Sequence, residues 1–238
     1  MSLLISGDLR LAKGQPVPVD PFRSNVSLLL HGNGTNGSTT ITDSSPTSKT
    51  VTAVGNAQIS TAIADPFGNS TRGVLAFDGT NAYVTTPNNN SLAMQTGDFT
   101  IELFARFSLF RSFAILYDSR NGGSSGLGLT LMTAADGALW AYSGTTNYIT
   151  SSPLSLNTWY HIALTRSSNS LRMFINGIQA GSTTAFANNL SDGWLTIGKT
   201  NESMSNFFGG WIDEVRITKG ISRYNATFTP PTAPFPDF

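Results

Sequence analysis

Residues Phe99 to Phe107 alternate strictly: Phe99, Ile101, Leu103, Ala105 and Phe107 fall on one side, and Thr100, Glu102, Phe104 and Arg106 on the other. A period of two residues belongs to a β-strand, whose successive side chains point to opposite faces. A second strong signal lies downstream, where Leu171 to Ile175 and Ile178 to Ala180 flank Asn176-Gly177. That dipeptide suits the two positive-φ positions of a type I′ turn, so the spacing predicts a hairpin. Apolar or alternating runs predict further strands at 26–31, 50–54, 74–78, 82–86, 113–118, 127–132, 138–142, 158–166, 194–198 and 210–218. Clusters of Gly, Asn, Ser, Thr and Pro separate them, and no run supports a helix longer than two turns. Many short strands without helical crossovers imply antiparallel pairing in a two-sheet sandwich.

Two segments stand apart from the strands. Residues 1–25 carry Leu3 to Leu11, which can pair as a short strand, and then Pro16, Pro18 and Pro21. Proline fixes φ and removes a donor, so this stretch reads as an extended arm. It is either a loose terminus or an arm that docks on a neighbouring subunit. The sandwich takes residues 26–238, ending in a proline-rich tail, 229–238, with Phe228, Phe235 and Phe238 as apolar handles. At 238 residues the whole is within reach of one all-β domain.

Composition narrows the function classes. The formal net charge is zero, so no summed field exists to hold a phosphate backbone, and a nucleic-acid partner is not expected. No apolar run approaches the ~18 residues that span a membrane. Cysteine is absent. The opening residues, Met1 to Asp8, lack a basic stretch followed by an apolar core, so no secretory signal is expected. Release by cell lysis inside a virus particle would place such a chain outside the cell.

Five phrases in order resemble a known group. Ser27-Leu28-Leu29-Leu30-His31-Gly32-Asn33-Gly34 with Thr42-Asp43-Ser44-Ser45 is similar to the opening of laminin-G-like jelly rolls in phage virion proteins. Phe77-Asp78-Gly79-Thr80-Asn81-Ala82-Tyr83-Val84, Gly97-Asp98-Phe99-Thr100-Ile101-Glu102 and Trp159-Tyr160-His161-Ile162-Ala163-Leu164 continue it. Gly209-Gly210-Trp211-Ile212-Asp213-Glu214-Val215-Arg216-Ile217 closes it. The resemblance implies an all-β, concanavalin-A-like antiparallel jelly-roll sandwich. It also implies a setting on a virion surface, as a head-decoration or tail-fibre/adaptor component that meets other virion proteins and itself in a homo-oligomer. The alternative is a lectin-like module for a host-surface glycan.

The same fold hosts hydrolases of the laminarinase group, whose acids lie on one strand with two-residue spacing. Retaining glycosidases need two carboxyls roughly 5–5.5 Å apart. The chain has three glutamates, Glu102, Glu202 and Glu214. Glu102 has no acid partner on its face, and Asp213 and Glu214, being adjacent, are expected to point to opposite faces. His31 and His161 fit no zinc-binding spacing. Gly122-Gly123-Ser124-Ser125-Gly126 is out of frame for a nucleophile elbow and reads as a hairpin tip. No enzyme is expected.

Two candidate sites remain. The resemblance implies a structural calcium held by Asp213 on a late strand, with backbone carbonyls near the first strand. Asn33, in Gly32-Asn33-Gly34, and Asp43 offer further oxygens toward the six to eight such an ion takes. The other reading of Asp213 is structural, capping loop amides or pairing with an arginine. The second candidate is a sheet face. If Leu139 and Ala141 point inward, Trp140 and Tyr142 point outward, and alternation places Glu102, Phe104, Arg106, Thr130 and Met132 beside them. Such a face suits stacking against a sugar, a protein interface or an ordinary surface.

Overall fold

A computed structural model of the chain describes residues 19–121, 128–200 and 206–237. The expected strand at Leu3 to Leu11, Pro16, Pro18 and the tip Gly122 to Gly126 lie outside these described residues. In chain order the strands are β1 (Val26–Leu30), β2 (Thr52–Val54), β3 (Gln58–Ser60), β4 (Val74–Asp78) and β5 (Tyr83–Thr86). Then come β6 (Phe99–Phe107), β7 (Ala114–Asp118), β8 (Thr130–Thr133), β9 (Leu139–Ser143) and β10 (Thr146–Thr150). The last are β11 (Trp159–Ser167), β12 (Ser170–Ile175), β13 (Ile178–Ala185), β14 (Leu195–Ile197) and β15 (Gly209–Lys219). One 3-10 turn, Arg23–Asn25, is the only helical element among the described residues.

The strands form two antiparallel sheets. An eight-stranded sheet runs β13-β12-β11-β6-β15-β4-β3, with β1 also paired to β15, and a seven-stranded sheet runs β10-β9-β8-β7-β14-β5-β2. One core lies between them. Leu103 and Ala105 of β6, Ile162 and Leu164 of β11, and Val215 and Ile217 of β15 meet Val84, Leu131, Leu139, Ala141 and Ile197 of the other sheet. The fold is the sandwich expected from the alternation. Asn176 and Gly177 take φ of +50° and +77°, as the hairpin between β12 and β13 requires.

The shape of β15 positions one of the candidate sites. Its first half, Gly209 to Ile212, pairs with β4, and its second half, Val215 to Thr218, pairs with β1. The changeover falls at Asp213 and Glu214, where the register against β6 slips and Glu214 adopts a φ of +51°. An extra residue of this kind is a β-bulge, which re-aims side chains.

Several expectations change. β3 and β10 were not expected, because each is short and mostly polar outside Ile59 and Ile149. The expected common face of Glu102, Phe104 and Arg106 with Trp140 and Tyr142 does not exist. β6 belongs to the eight-stranded sheet and β9 to the seven-stranded one, so their outward side chains face away from each other. Alternation assigns a residue to a side of its own sheet, and says nothing about which sheet that is.

Candidate functional site

Trp140 and Tyr142 do point outward from β9, alternating with buried Leu139, Ala141 and Ser143. Register places Met132 of β8 opposite Trp140 and Thr130 opposite Tyr142. On the other side, Thr150 and Asn147 of β10 stand opposite Trp140 and Tyr142. Asn147 Nδ2 donates to Thr150 Oγ1 at 2.8 Å, in the open. The ring centres of Trp140 and Tyr142 are 5.9 Å apart.

Phe113 completes the strip, and the sequence pattern had placed it only as the first residue of a strand. It lies just before β7 with a φ of +64°, and its ring stands 5.6 Å from that of Trp140. Its N–H donates to the Thr133 carbonyl at 2.7 Å, which holds the turn against β8. Left-handed backbone costs an L-residue roughly 1–2 kcal/mol, and for a bulky side chain it is an outlier. Among the described residues Phe113 is the one aromatic residue in that region. The residue is 46% exposed, so the ring that this backbone holds against Trp140 also meets solvent.

The outer face of the other sheet is roofed over Glu102 and Phe104. Glu102 is fully buried, although the alternation had placed it on a surface. Arg216 Nε donates to Glu102 Oε1 at 2.9 Å and Tyr224 Oη to Oε2 at 2.8 Å, with His161 Nε2 3.2 Å away. Asp20 accepts from Arg216 Nη1 at 3.1 Å and from Arg223 Nη2 at 2.6 Å. Burial alone would raise the Glu102 carboxyl, but the Arg216 charge and the His161 bond outweigh it and hold it down to about 2. Phe104 is buried too, with Phe67 5.2 Å and His161 4.9 Å away between ring centres. The roof is the segment after β15. Phe235 covers Arg216 at 3.7 Å, and Phe228 stacks on Tyr224 at 3.6 Å. Arg106 lies beyond this roof, half-buried between Trp159 and Trp211.

The calcium residues do not gather into one donor set. Asp43 Oδ1 accepts from the amides of Leu29 and Ser45, at 3.0 and 2.9 Å. Its Oδ2 accepts from Ser45 Oγ and the Lys49 amide, with Lys49 Nζ 3.7 Å away, so no lone pair is left. Asn33 Oδ1 accepts from Arg72 Nε at 3.0 Å. Only Asp213 keeps a free oxygen: Oδ1 takes the Glu214 amide, while Oδ2 is buried with no partner. Among the described residues no group of three acidic or histidine side chains is placed to hold a metal.

The bulge also corrects the expected divergence of Asp213 and Glu214. Glu214 is paired to Arg72, whose Nη2 reaches Glu214 Oε1 at 2.8 Å and whose Nη1 reaches Asp65 at 3.1 Å, and the charges of both Glu214 and Arg72 act on Asp213. Glu214 also meets His31 Nδ1 at 2.9 Å and accepts the Phe235 amide at 2.8 Å. Burial first, and then the Glu214 charge, push the Asp213 carboxyl well above the usual carboxylate range, with Arg72 opposing. Both acids are fully enclosed, so the pair has no route to a sugar.

A family model described as the concanavalin A-like lectin/glucanases superfamily matches residues 78–221. Among solved structures, the chain is similar to the binding domain of Paraclostridial Mosquitocidal Protein 1, with a TM-score of 0.62 and 16% identity. That match covers 84% of this chain and 50% of the other, so the chain spans about half the length of that binding domain. Domain 4 of AbnA, an extracellular arabinanase from Geobacillus stearothermophilus, in complex with arabinotriose, matches with a TM-score of 0.56 and 16% identity. There the cover is 82% of this chain and 94% of that domain. The binding domain of botulinum neurotoxin serotype G gives a TM-score of 0.58 at 13% identity, over 83% of this chain and 49% of that one. Likeness at these identities shows the fold. Among curated protein sequences none matches significantly.

Proposed function

The chain belongs to the concanavalin A-like lectin/glucanase superfamily, and from that premise we propose that it is a non-catalytic, lectin-like module that binds a glycan on the strip Phe113–Trp140–Tyr142. The observation that carries this reading is the strained, exposed Phe113 ring set beside Trp140. Aromatic faces stack on the C–H faces of sugar rings, and the amide of Asn147 and the hydroxyl of Thr150 supply polar contacts at the rim. The arabinotriose held by a similar arabinanase domain supports it. Enclosure of Glu102, Asp213 and Glu214 supports the absence of hydrolysis, since a glycosidase acid must touch the scissile bond. A glycan array followed by calorimetry tests the reading. Binding of at least one glycan is expected, weakened at least ~10-fold in Trp140→Ala, whereas equal binding by the variant, or none by the parent, overturns it.

We further propose that the module is displayed on a virion, tethered through residues 1–18. Val19 is 75% exposed, and Asp20 is anchored on the eight-stranded sheet, the sheet opposite the strip, which supports this reading. Deleting residues 1–18 is expected to release the module from particles while leaving its glycan binding intact. Normal assembly of the shortened chain would refute the tether.

A further inference from the structure

Arg106 is unlike the other arginines near it. Arg72, Arg216 and Arg223 each reach carboxylates within 3.1 Å. Arg106 makes no ion pair or side-chain hydrogen bond with any described residue, and its Nε is buried with no partner. A buried donor left unmet costs about 1–3 kcal/mol, more when charged. Its guanidinium lies 5.6 Å from the centre of the Trp211 ring.

The setting is built. In the eight-stranded sheet Trp159 of β11 and Trp211 of β15 are the direct cross-strand neighbours of Arg106 on either side. Trp159 is fixed by a hydrogen bond from its Nε1 to the Ala64 carbonyl at 3.1 Å, so that wall does not swing. All three side chains are half-buried, leaving the row open to solvent. The acids of this face are already engaged or enclosed: Glu102 is paired with Arg216, Asp65 with Arg72, and Asp213 is fully buried. No carboxylate among the described residues neutralises the guanidinium.

From this we propose that the Trp159–Arg106–Trp211 row is a second ligand site, which takes the carboxylate of an acidic sugar. A guanidinium presents a planar fork that matches a carboxylate with two parallel bonds. Indole faces beside it accept the apolar side of a pyranose ring, which a simple anion does not possess. Charge complementarity selects the occupant, since the site holds one uncompensated cation between two aromatic walls. The site does not rest on the Phe113 strip, which lies on the other sheet.

The full chain is titrated with methyl β-glucuronide, methyl β-glucoside and acetate, following the indole N–H signals by NMR. The glucuronide is expected to shift the Trp159 and Trp211 signals, at about millimolar affinity. The glucoside and acetate are expected to bind at least ~10-fold more weakly. Arg106→Gln should abolish the shift, Arg106→Lys should retain a reduced one by keeping charge without the fork, and Trp140→Ala should leave it unchanged. Melting curves of the Arg106 variants separate a binding loss from misfolding. Equal binding of glucuronide and glucoside, equal binding of acetate, shifts confined to Trp140, or a folded Arg106→Gln that binds normally would each overturn the site. Loss of binding to the strip alone would leave this site standing.

Discussion

Phe113 stands edge to face with Trp140, ring centres 5.6 Å apart, on a backbone whose φ is +64°. The chain therefore holds this ring at a cost, and the cost and the benefit can be separated. Phe113→Gly removes the left-handed strain, roughly 1–2 kcal/mol, and removes a ring contact of about 0.5–1.5 kcal/mol. The two nearly cancel, so the melting midpoint should move by no more than about 4 °C. Glycan affinity should fall at least ~10-fold. A variant that melts normally and binds normally would show that the strain serves something else.

Glu102 and Arg216 form the buried charge pair of the eight-stranded sheet, and they make acid stability a measurable property of one side chain. Arg216, together with His161, holds the Glu102 carboxyl down to about 2, against its burial. A depressed carboxylate stabilises the fold above its unfolded value, near pH 4.5, and that contribution is lost as pH falls toward 2. Its size is on the order of 3 kcal/mol. Glu102→Gln should lower stability by about 2–4 kcal/mol at pH 7 and flatten the acid limb between those two values. Chemical denaturation at a series of pH values reads both. An unchanged acid limb would place the acid sensitivity in other groups.

The hairpin at Gly177 is also the dock for the final segment. Phe228 N–H donates to the Gly177 carbonyl at 3.0 Å, and a Cβ at Gly177 would run into the Phe228 carbonyl oxygen. With φ at +77° the position is strained for any other residue. Gly177→Ala should destabilise by about 2–4 kcal/mol and lift the segment from the sheet. Hydrogen exchange at Phe228 and Phe235 should then quicken while β6 stays protected. If the Phe228 and Phe235 amides keep their protection, the hairpin is not the dock.

How much of this was legible in the sequence differs residue by residue. The alternation from Phe99 to Phe107 is a local property of one strand, and it placed Ile101, Leu103 and Ala105 in the core. The outward aim of Trp140 and Tyr142 followed from the same periodicity. The enclosure of Glu102 did not, because its cover comes from Tyr224, over a hundred positions away, and a strand pattern carries no information about what lies over it. Phe113 read as an ordinary strand residue, since a positive φ leaves no trace when the side chain is phenylalanine. Glu214 was placed opposite Asp213 by strict alternation, and one bulged residue removed that opposition. The clue was present in the glycines: Gly32 and Gly73 make room where β1 and β4 part, and Asp213 Oδ1 would lie 2.8 Å from a Cβ on Gly32.

Asp213 Oδ2 and the Arg72 guanidinium pose the last question, which is whether a proton or a calcium ion satisfies this carboxyl. Burial and Glu214 favour the protonated form. A raised carboxyl stabilises the fold below its unfolded value, near about pH 4, and that contribution is lost as pH rises toward the folded value. If a proton satisfies Oδ2, Asp213→Asn should melt at or slightly above the parent at pH 7. It should lose its advantage at about pH 4, and a chelator should change neither protein. If calcium is bound, the carboxylate must be ionised. The same substitution should then lower the midpoint by several degrees, and calcium should raise that of the parent alone. With Asp43 and Asn33 engaged elsewhere and Arg72 against the site, the first outcome is expected.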